Sequence, residues 1–504
     1  MSKKNKKPLT KAKKNLLITL LVLVVMGASV LILTLIPTAE QAEEQESGIS
    51  SSESSEEEET ISLLNKQASD VDHIDVVNQS DSFTIRYMEQ DASEEEDEEN
   101  SSFEIEGLDP NVYPVLATAV NSAAKYGYTV TAQKLIGDAA DYNLDEFGLE
   151  DPVVQMTTTF SDGTAPFSYA IGDSSATGSG YYLLVDGKIY VGDSSEYLKK
   201  RQMDFCTTKI VSIDTSEDDT VVFSNIQIVN ENGEMIIVPQ ERKGYISTFS
   251  MRKPFTCSAN DDTVTALQED LVSVTARNVV GLSPTDEDLE KYGLLDPVAS
   301  VIYTYKDSTY KLLAGGKDED GNRYVMLDGG NVVYAVSDNG VSKWVEATPI
   351  SLREKFVMLI TINDVQQLTF DVGSQKYAFT LSRTVNEESS TENSTVYDYA
   401  VKGTDGQKLT YKTFQKFYQL LIGEQMLSDA DFDSSMIEGK TPDITLTYHY
   451  YDTMYEDDVI EFYKSGTRRY LVAVNGDVSG YVTETSVNKM VDSAAQMEQD
   501  AYKE

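Results

Sequence analysis

The amino-acid sequence predicts an α+β fold of three tandem repeats, each a mostly antiparallel sheet with one longer amphipathic helix and one short helix, behind a single N-terminal transmembrane helix. Three observations carry this expectation. At an interval of 145 residues a proline opens an alternating apolar strand, at Pro152, Pro297 and Pro442. Each strand runs to an aspartate ten residues past its proline: Asp162, Asp307 and Asp452. A tight-turn dipeptide follows in each copy, Asp186-Gly187, Asp328-Gly329 or Asn475-Gly476, of the kind that tolerates the positive φ of a two-residue hairpin loop.

The period of two assigns one face of each strand to a core: Val154, Met156, Thr158 and Phe160, then Ala299, Val301, Tyr303 and Tyr305, then Ile444, Leu446, Tyr448 and Tyr450. Ahead of each lies a pair of short strands, at 74–77 and 83–87, 226–229 and 235–238, and 365–370 and 377–381. Between pair and proline the apolar residues fall at helical spacing. They are Val112, Val115, Leu116, Ala119, Val120 and Ala123 in the first copy, Val264, Leu267, Leu271 and Val274 in the second, and Phe414, Phe417, Tyr418 and Leu421 in the third. One apolar stripe per helix implies packing on a sheet. Acidic loops are expected at 138–150 and 285–296, and short closing helices at 194–202, 341–346 and 486–497. The repeats are placed at 70–206, 207–356 and 357–495, with a tail at 496–504.

The formal charge of −43 hides a split: seven lysines precede the first acid, so the rest of the chain carries about −50. An acidic surface without a basic stripe argues against nucleic acid, whose backbone is held by Lys and Arg. Residues 16–36 carry no charge and are rich in Leu, Val and Ile; as a helix they span roughly 31 Å, a bilayer's hydrocarbon thickness. The lysine cluster at 1–15 places the N-terminus in the cytoplasm and the bulk outside the cell membrane. A retained anchor is favoured over a cleaved signal, because the apolar run is long and the residues Pro37-Thr38-Ala39 match a cleavage site poorly. A Glu/Ser-rich linker at 37–69 then reads as a solvated tether.

Candidate chemistry is sparse. Ser486 with Lys489, Ser337-Asp338-Asn339 and Lys464-Ser465-Gly466 mimic the three motifs of a serine β-lactamase or penicillin-binding site, but in the wrong chain order, and Ser486 reads as a helix-start residue. Asp429, Asp431 and Asp433 have the spacing of the first ligands of a calcium loop. The sixth position is Ser434 rather than Gly and the twelfth is Lys440 rather than Glu, so an acidic loop is the simpler reading. His73 and His449 fall in different predicted strands, with His449 on the face opposite Tyr448 and Tyr450. The acidic run 94–99 reads as a solvated loop, with a cation or basic partner as the sharper alternative. Gly178-Ser179-Gly180 lacks the third glycine of a nucleotide loop, and most of the thirty tyrosines alternate along strands as β propensity predicts. Two cysteines, Cys206 and Cys257, are too few for a disulfide scaffold and are read as unpaired, with pairing in an oxidising compartment the alternative. No catalytic, cofactor or metal residues are assigned.

The strings EFGLEDPVVQMTTTFSDG and LEKYGLLDPVASVIYTYKDS, each followed by a glycine-turn hairpin, resemble the bacterial family called domain of unknown function 4340 over most of residues 70–495. The Tyr/Phe-Gly-Leu-x-Asp-Pro element is clear at Phe147 to Pro152 and Tyr292 to Pro297 and departs at Glu438 to Pro442. The resemblance implies an exported, membrane-anchored protein that works beside an ABC-type permease or a gliding-motility-type transporter auxiliary protein. The expected function is therefore a membrane-anchored extracytoplasmic accessory or interaction protein and not an enzyme. A wall- or glycan-directed hydrolase and a surface adhesin are the alternatives.

Overall fold

The computed structural model describes residues 60–89 and 102–503, apart from 177, 179, 217–219, 243, 392–393 and 430. The lysine-rich start, the apolar span at 16–36 and the acidic run 94–99 lie outside the described residues. Among the described residues there are seven α-helices and four sheets, and the strand pairs are antiparallel.

Each of the three large sheets is centred on a proline strand. In the first, Val154–Phe160 has Val71–Asn78, Ser82–Tyr87 and Phe103–Ile105 on one side and Phe167–Ser174, Tyr181–Val185 and Lys188–Gly192 on the other. In the second, Ala299–Tyr305 lies between Asn225–Asn230, Gly233–Pro239 and Phe249–Lys253 and the meander Ser308–Lys317, Arg323–Leu327 and Val332–Val336. In the third, Ile444–Tyr450 lies between Val365–Val372, Gln375–Val385 and Tyr397–Lys402 and the meander Asp458–Lys464, Arg469–Val474 and Asp477–Thr483. The same seven-strand order occurs in all three. The third opening strand of each was not foreseen, although Phe103 and Ile105, Phe249 and Met251, and Tyr397, Tyr399 and Val401 alternate with polar or small residues; the runs are short.

Alternate residues of every proline strand are buried, and the residues between them are mostly half-exposed. The buried face meets a helix: Ala117–Tyr128 through Ala119, Val120 and Ala123, Asp261–Val272 through Val264, Leu267 and Leu271, and Tyr411–Ile422 through Phe414, Phe417, Tyr418 and Leu421. Each fully buried Leu or Phe stabilises the fold by about 1.5–3 kcal/mol relative to exposure. A hydroxyl ties strand to helix end in two cases. Thr158 Oγ1 donates to the Gly127 carbonyl at 2.7 Å, and the Tyr303 hydroxyl to that of Leu271 at 3.0 Å. In the third sheet Tyr448 holds that place, and its buried hydroxyl has no hydrogen-bond partner among the described residues. The turns Asp186-Gly187 and Asn475-Gly476 have positive φ at both residues, as a type I′ loop requires, whereas at Asp328-Gly329 in the second sheet only Gly329 does.

Several expectations are corrected. The linker at 37–69 ends earlier, because Ile61–Asn65 pairs with Thr129–Asp138 at the edge of the first sheet. The first helix begins at Ala117: Val115 instead bridges to Cys206, and the Leu116 N–H donates to Phe205. Val274 lies in the strand Ser273–Thr275 rather than in the helix. Within the acidic stretch 285–296, Asp286–Tyr292 is a helix started by a capping box between Thr285 and Asp288. The closing elements are not uniformly short. Glu484–Glu498, capped by Thr483 and buried through Val487, Met490, Ala494 and Met497, is the longest described helix, while the first sheet closes with two 3₁₀ turns. That helix runs past 495 into the supposed tail, where Tyr502 is also buried, 6.0 Å from the ring of Phe417.

Candidate functional site

The passage from the second sheet to the third concentrates buried charge, which elsewhere among the described residues occurs at Arg323. Arg353, Glu354, Glu424 and Asp458 are all buried here. A buried charge is tolerated only when it is paired or hydrogen-bonded, so the partners of each define what the junction can do.

Arg242 follows the strand Gly233–Pro239 and reaches into the third sheet. Its Nη1 donates to Asp458 Oδ1 at 2.6 Å and its Nη2 to the Glu456 carbonyl. The guanidinium lies 4.9 Å from the ring centre of Tyr450 and 5.7 Å from those of Tyr245 and Tyr455. Asp458 also accepts from Asn475 Nδ2 at 2.7 Å and from the Tyr450 hydroxyl. Burial, with the Asp458 charge beside it, pushes the Tyr450 phenol far above its ordinary range. By register Asp458 stands opposite Tyr448, where the first sheet sets Phe167 against Thr158 and the second sets Tyr310 against Tyr303. An acid has replaced an aromatic residue, and a cation from the preceding sheet neutralises it.

Arg353 is held differently. Its Nη2 donates to the Leu427 carbonyl at 2.9 Å and its Nη1 to that of Ser479, with no carboxylate within 4.0 Å among the described residues. Burial lowers its pKa. Gly480, at φ +154°, lies beneath this guanidinium, and a Cβ there would collide with Nη1. A cleft of about 350 Å³ opens beside Arg242, Tyr245, Arg252, Cys257, Tyr455 and Asp477. Another of about 600 Å³ lies beside Phe255, Pro349, Ile350, Phe432 and Val478. The two rings Phe255 and Phe432 meet across the junction at 5.2 Å.

Most of the charged and hydroxyl residues singled out by sequence have structural partners. Ser486 Oγ donates to Glu424 Oε1 at 2.5 Å, and its N–H is capped by Thr483 Oγ1 at 3.1 Å, as a residue in a helix's first turn should be. Burial raises the Glu424 pKa. Lys489 is exposed one turn further along. Lys464 pairs with Glu484 at 2.7 Å, so Lys464 and Ser486 both lie at the start of the closing helix, while Asp338 belongs to the second sheet and holds Lys317 at 2.7 Å and Arg323 at 3.1 Å. Asp429 accepts from Arg469 and from the Asp431 N–H, and Asp433 caps the turn Ser434–Ile437. Among the described residues no group of three or more His, Cys, Asp or Glu is placed to hold a metal ion. His73 Nδ1 lies 2.6 Å from Asp72 and His449 Nδ1 2.6 Å from Asp457. Cys206 and Cys257 are both free, and burial pushes their thiols up to about 11 and about 12.

The Tyr/Phe-Gly-Leu element has a mechanical explanation. Gly148 and Gly293 adopt φ +63° and +69° to end a helical turn, and Leu149 and Leu294 are then buried. The turn lies directly on a glycine of the first meander strand: a Cβ on Gly172 or Gly315 would strike the carbonyl of Phe147 or Tyr292. The same aromatic residue packs on the next strand, Phe147 on Tyr182 at 4.8 Å and Tyr292 on Tyr324 at 4.7 Å. In the third sheet the register places Tyr463 where Gly172 and Gly315 stand, and its buried ring packs near Met436 and Ile437. The motif departs there because its glycine seat is filled.

Arg242, Asp458, Arg353 and Glu424 were not singled out by sequence. The one signal was an aspartate in a strand position that the other two sheets give to Phe167 and Tyr310. No curated protein and no solved structure matches the chain. Residues 250–435 match the model of the family described as domain of unknown function (DUF4340), a narrower stretch than the 70–495 expected, running from the third opening strand of the second sheet to the turn before Ile444–Tyr450. That stretch, over which the chain is similar to this family, contains the glycine turn at Tyr292 to Pro297 and the whole charged passage at 353–354.

Proposed function

We propose that the chain is a membrane-anchored, extracytoplasmic accessory protein of an ABC-type transport system, in which three tandem α+β repeats form an interaction module rather than an enzyme. The observation that carries this reading is the way the three sheets differ. They share one strand order, and where one departs from the others the change is structural: Asp458 is neutralised by Arg242, Tyr463 fills a glycine seat, and Ser486 is spent on Glu424. A catalytic constellation would instead need a nucleophile, a base and an orienting group converging on one point.

The anchor rests on the seven lysines followed by the uncharged run at 16–36. No described helix is long and apolar enough to cross a membrane, and residues 16–36 lie outside those described. The transporter partner rests on the family resemblance. Gentle solubilisation and affinity capture of the tagged protein should bring down an ABC-type permease, and external protease on protoplasts should degrade everything beyond about residue 60. Protection of the sheets until the membrane is broken, or capture without a permease, rejects the proposal.

A further inference from the structure

We propose that the open edge of the third sheet, at residues 397–400, is a docking site for an extended, Lys- or Arg-bearing segment of a partner polypeptide, which adds to the sheet as one more strand. The strand Tyr397–Lys402 pairs inward with Gln375–Val385 through six consecutive residue pairs without a register shift. Among the described residues it pairs outward only at Val401 and Lys402, with Leu409 and Lys408. The backbone groups of 397–400 on that side therefore form an unused template.

The corresponding edges of the other two sheets do not offer this. In the first, the corresponding strand Phe103–Ile105 is three residues long. In the second, Phe249–Lys253 is covered by Cys257–Ser258, and the N–H groups of Thr248 and Phe249 are taken by the Asp261 carboxylate. Natural edges are usually blunted by Lys, Pro or a bulge, and 397–400 contains none of them.

The face beside the edge is prepared for contact. The two strands carry their core side past the helix: Phe379, Leu381 and Val401 are buried, and beyond them Arg383, Tyr397 and Tyr399 are half-exposed and Val385 is 48 % exposed. The Arg383 guanidinium lies between Tyr397 and Tyr451, 4.6 Å and 4.1 Å from their ring centres, and Tyr399 stacks on Tyr411 at 4.8 Å. Tyrosine and arginine are the residues enriched at interface centres, and side chains already stacked lose little freedom when a partner docks.

Charge selects the occupant. Between Arg383 and Lys402 there is no Lys or Arg, while the described acids Glu387, Glu388 and Asp398 fall in that stretch. A basic strand is attracted, and pairing of two copies of this edge would bring like carboxylates together, which is unfavourable. The inference deepens the interaction-module reading and needs only that a partner polypeptide exists, not that it is a transporter.

The test is hydrogen exchange of the full-length protein with an acetylated, amidated peptide of alternating Lys and Val, and with its Glu/Val counterpart. The Lys peptide should slow exchange at 397–400 by about tenfold, and the Glu peptide should not. Asp398→Lys, an exposed change whose folding is checked by unchanged protection of Ile444–Tyr450, should weaken the Lys peptide's effect and admit the Glu peptide. No slowing at 397–400, equal slowing by both peptides, or the same amides protected by concentration-dependent dimers without peptide would overturn the proposal. A permease that co-purifies undiminished with the Asp398→Lys protein would also reject this edge, and would leave the interaction reading standing.

Discussion

The first and second sheets are joined through hydrocarbon, the second and third through charge. At the first junction Phe205, Ile210, Val211, Val274 and Val279 belong to one apolar cluster that runs through both sheets. The strand Lys209–Ser212 leaves the first sheet and pairs with Ser273–Thr275 of the second region. At the second junction the large apolar clusters are separate; beside the ring pair Phe255 and Phe432 and the Tyr245 ring packed on the third cluster, what crosses is a set of hydrogen bonds: Ile246 N–H to Leu359, Thr361 N–H to Gly244, Arg242 to Asp458 and Arg353 to Leu427. The two junctions should therefore behave differently. Apolar burial is non-directional and tolerant of small shifts, whereas a buried ion pair holds one geometry and becomes a penalty once that geometry is lost.

The largest effect is expected at the shared core. Val301→Asp places an unpaired carboxylate on the buried face of Ala299–Tyr305 and should cost about 4 kcal/mol or more. Because the cluster is continuous, denaturant unfolding followed by hydrogen exchange should show the first and second sheets losing protection together. Ile302→Thr, on the half-exposed face, should cost about 1 kcal/mol. Equal losses for the two changes, or a first sheet that stays protected, would contradict the continuity.

Next is the charged junction. Arg242→Met leaves Asp458 buried without its cation, a loss of about 3–5 kcal/mol for a broken buried pair. Here the third sheet alone should lose protection, with the first two unaffected. Adding Asp458→Asn should recover most of the loss, since the neutral amide no longer requires a counter-ion. A double variant no better than the single one would show that Arg242 acts by packing on its tyrosines instead.

The smallest effect is a pH dependence confined to the third sheet. Burial raises the folded-state pKa of Glu424 above the ordinary 4.5, so as pH rises through 4.5 the unfolded chain releases this proton first. Stability from this group is thus flat below 4.5, falls as pH rises toward the folded value, and is flat again above it. Glu424→Gln keeps an acceptor for Ser486 and removes the slope, so the variant should be the more stable above that window. Thermal midpoints measured across it would show this, and parallel profiles for the two proteins would rule it out.

The central strands were legible because their pattern is local. Period-two alternation after Pro152, Pro297 and Pro442 identified the residues that became buried, and the 3.6-residue stripe identified Phe414, Phe417, Tyr418 and Leu421 without error. The misread places are those where local signals compete. Ile61–Asn65 follows an acidic stretch that looked like tether, and in 285–296 the acids Asp286, Glu287 and Asp288 were read as a loop although they sit at a capped helix start, where the dipole favours them.

What the sequence by itself determined about this protein is its strand-and-helix alternation, the membership of each buried face, and the hairpin turns at Asp186-Gly187 and Asn475-Gly476, all set by interactions within a few residues. Only the tertiary structure decided how the charged residues are used. Arg242 and Asp458 are 216 positions apart, Ser486 and Glu424 are 62 apart, and Arg353 finds Ser479 across 126. No periodicity reports such a distance, because a side chain's partner across a junction depends on how whole sheets pack, and the cost of an unpaired buried charge appears only once water has been excluded from it.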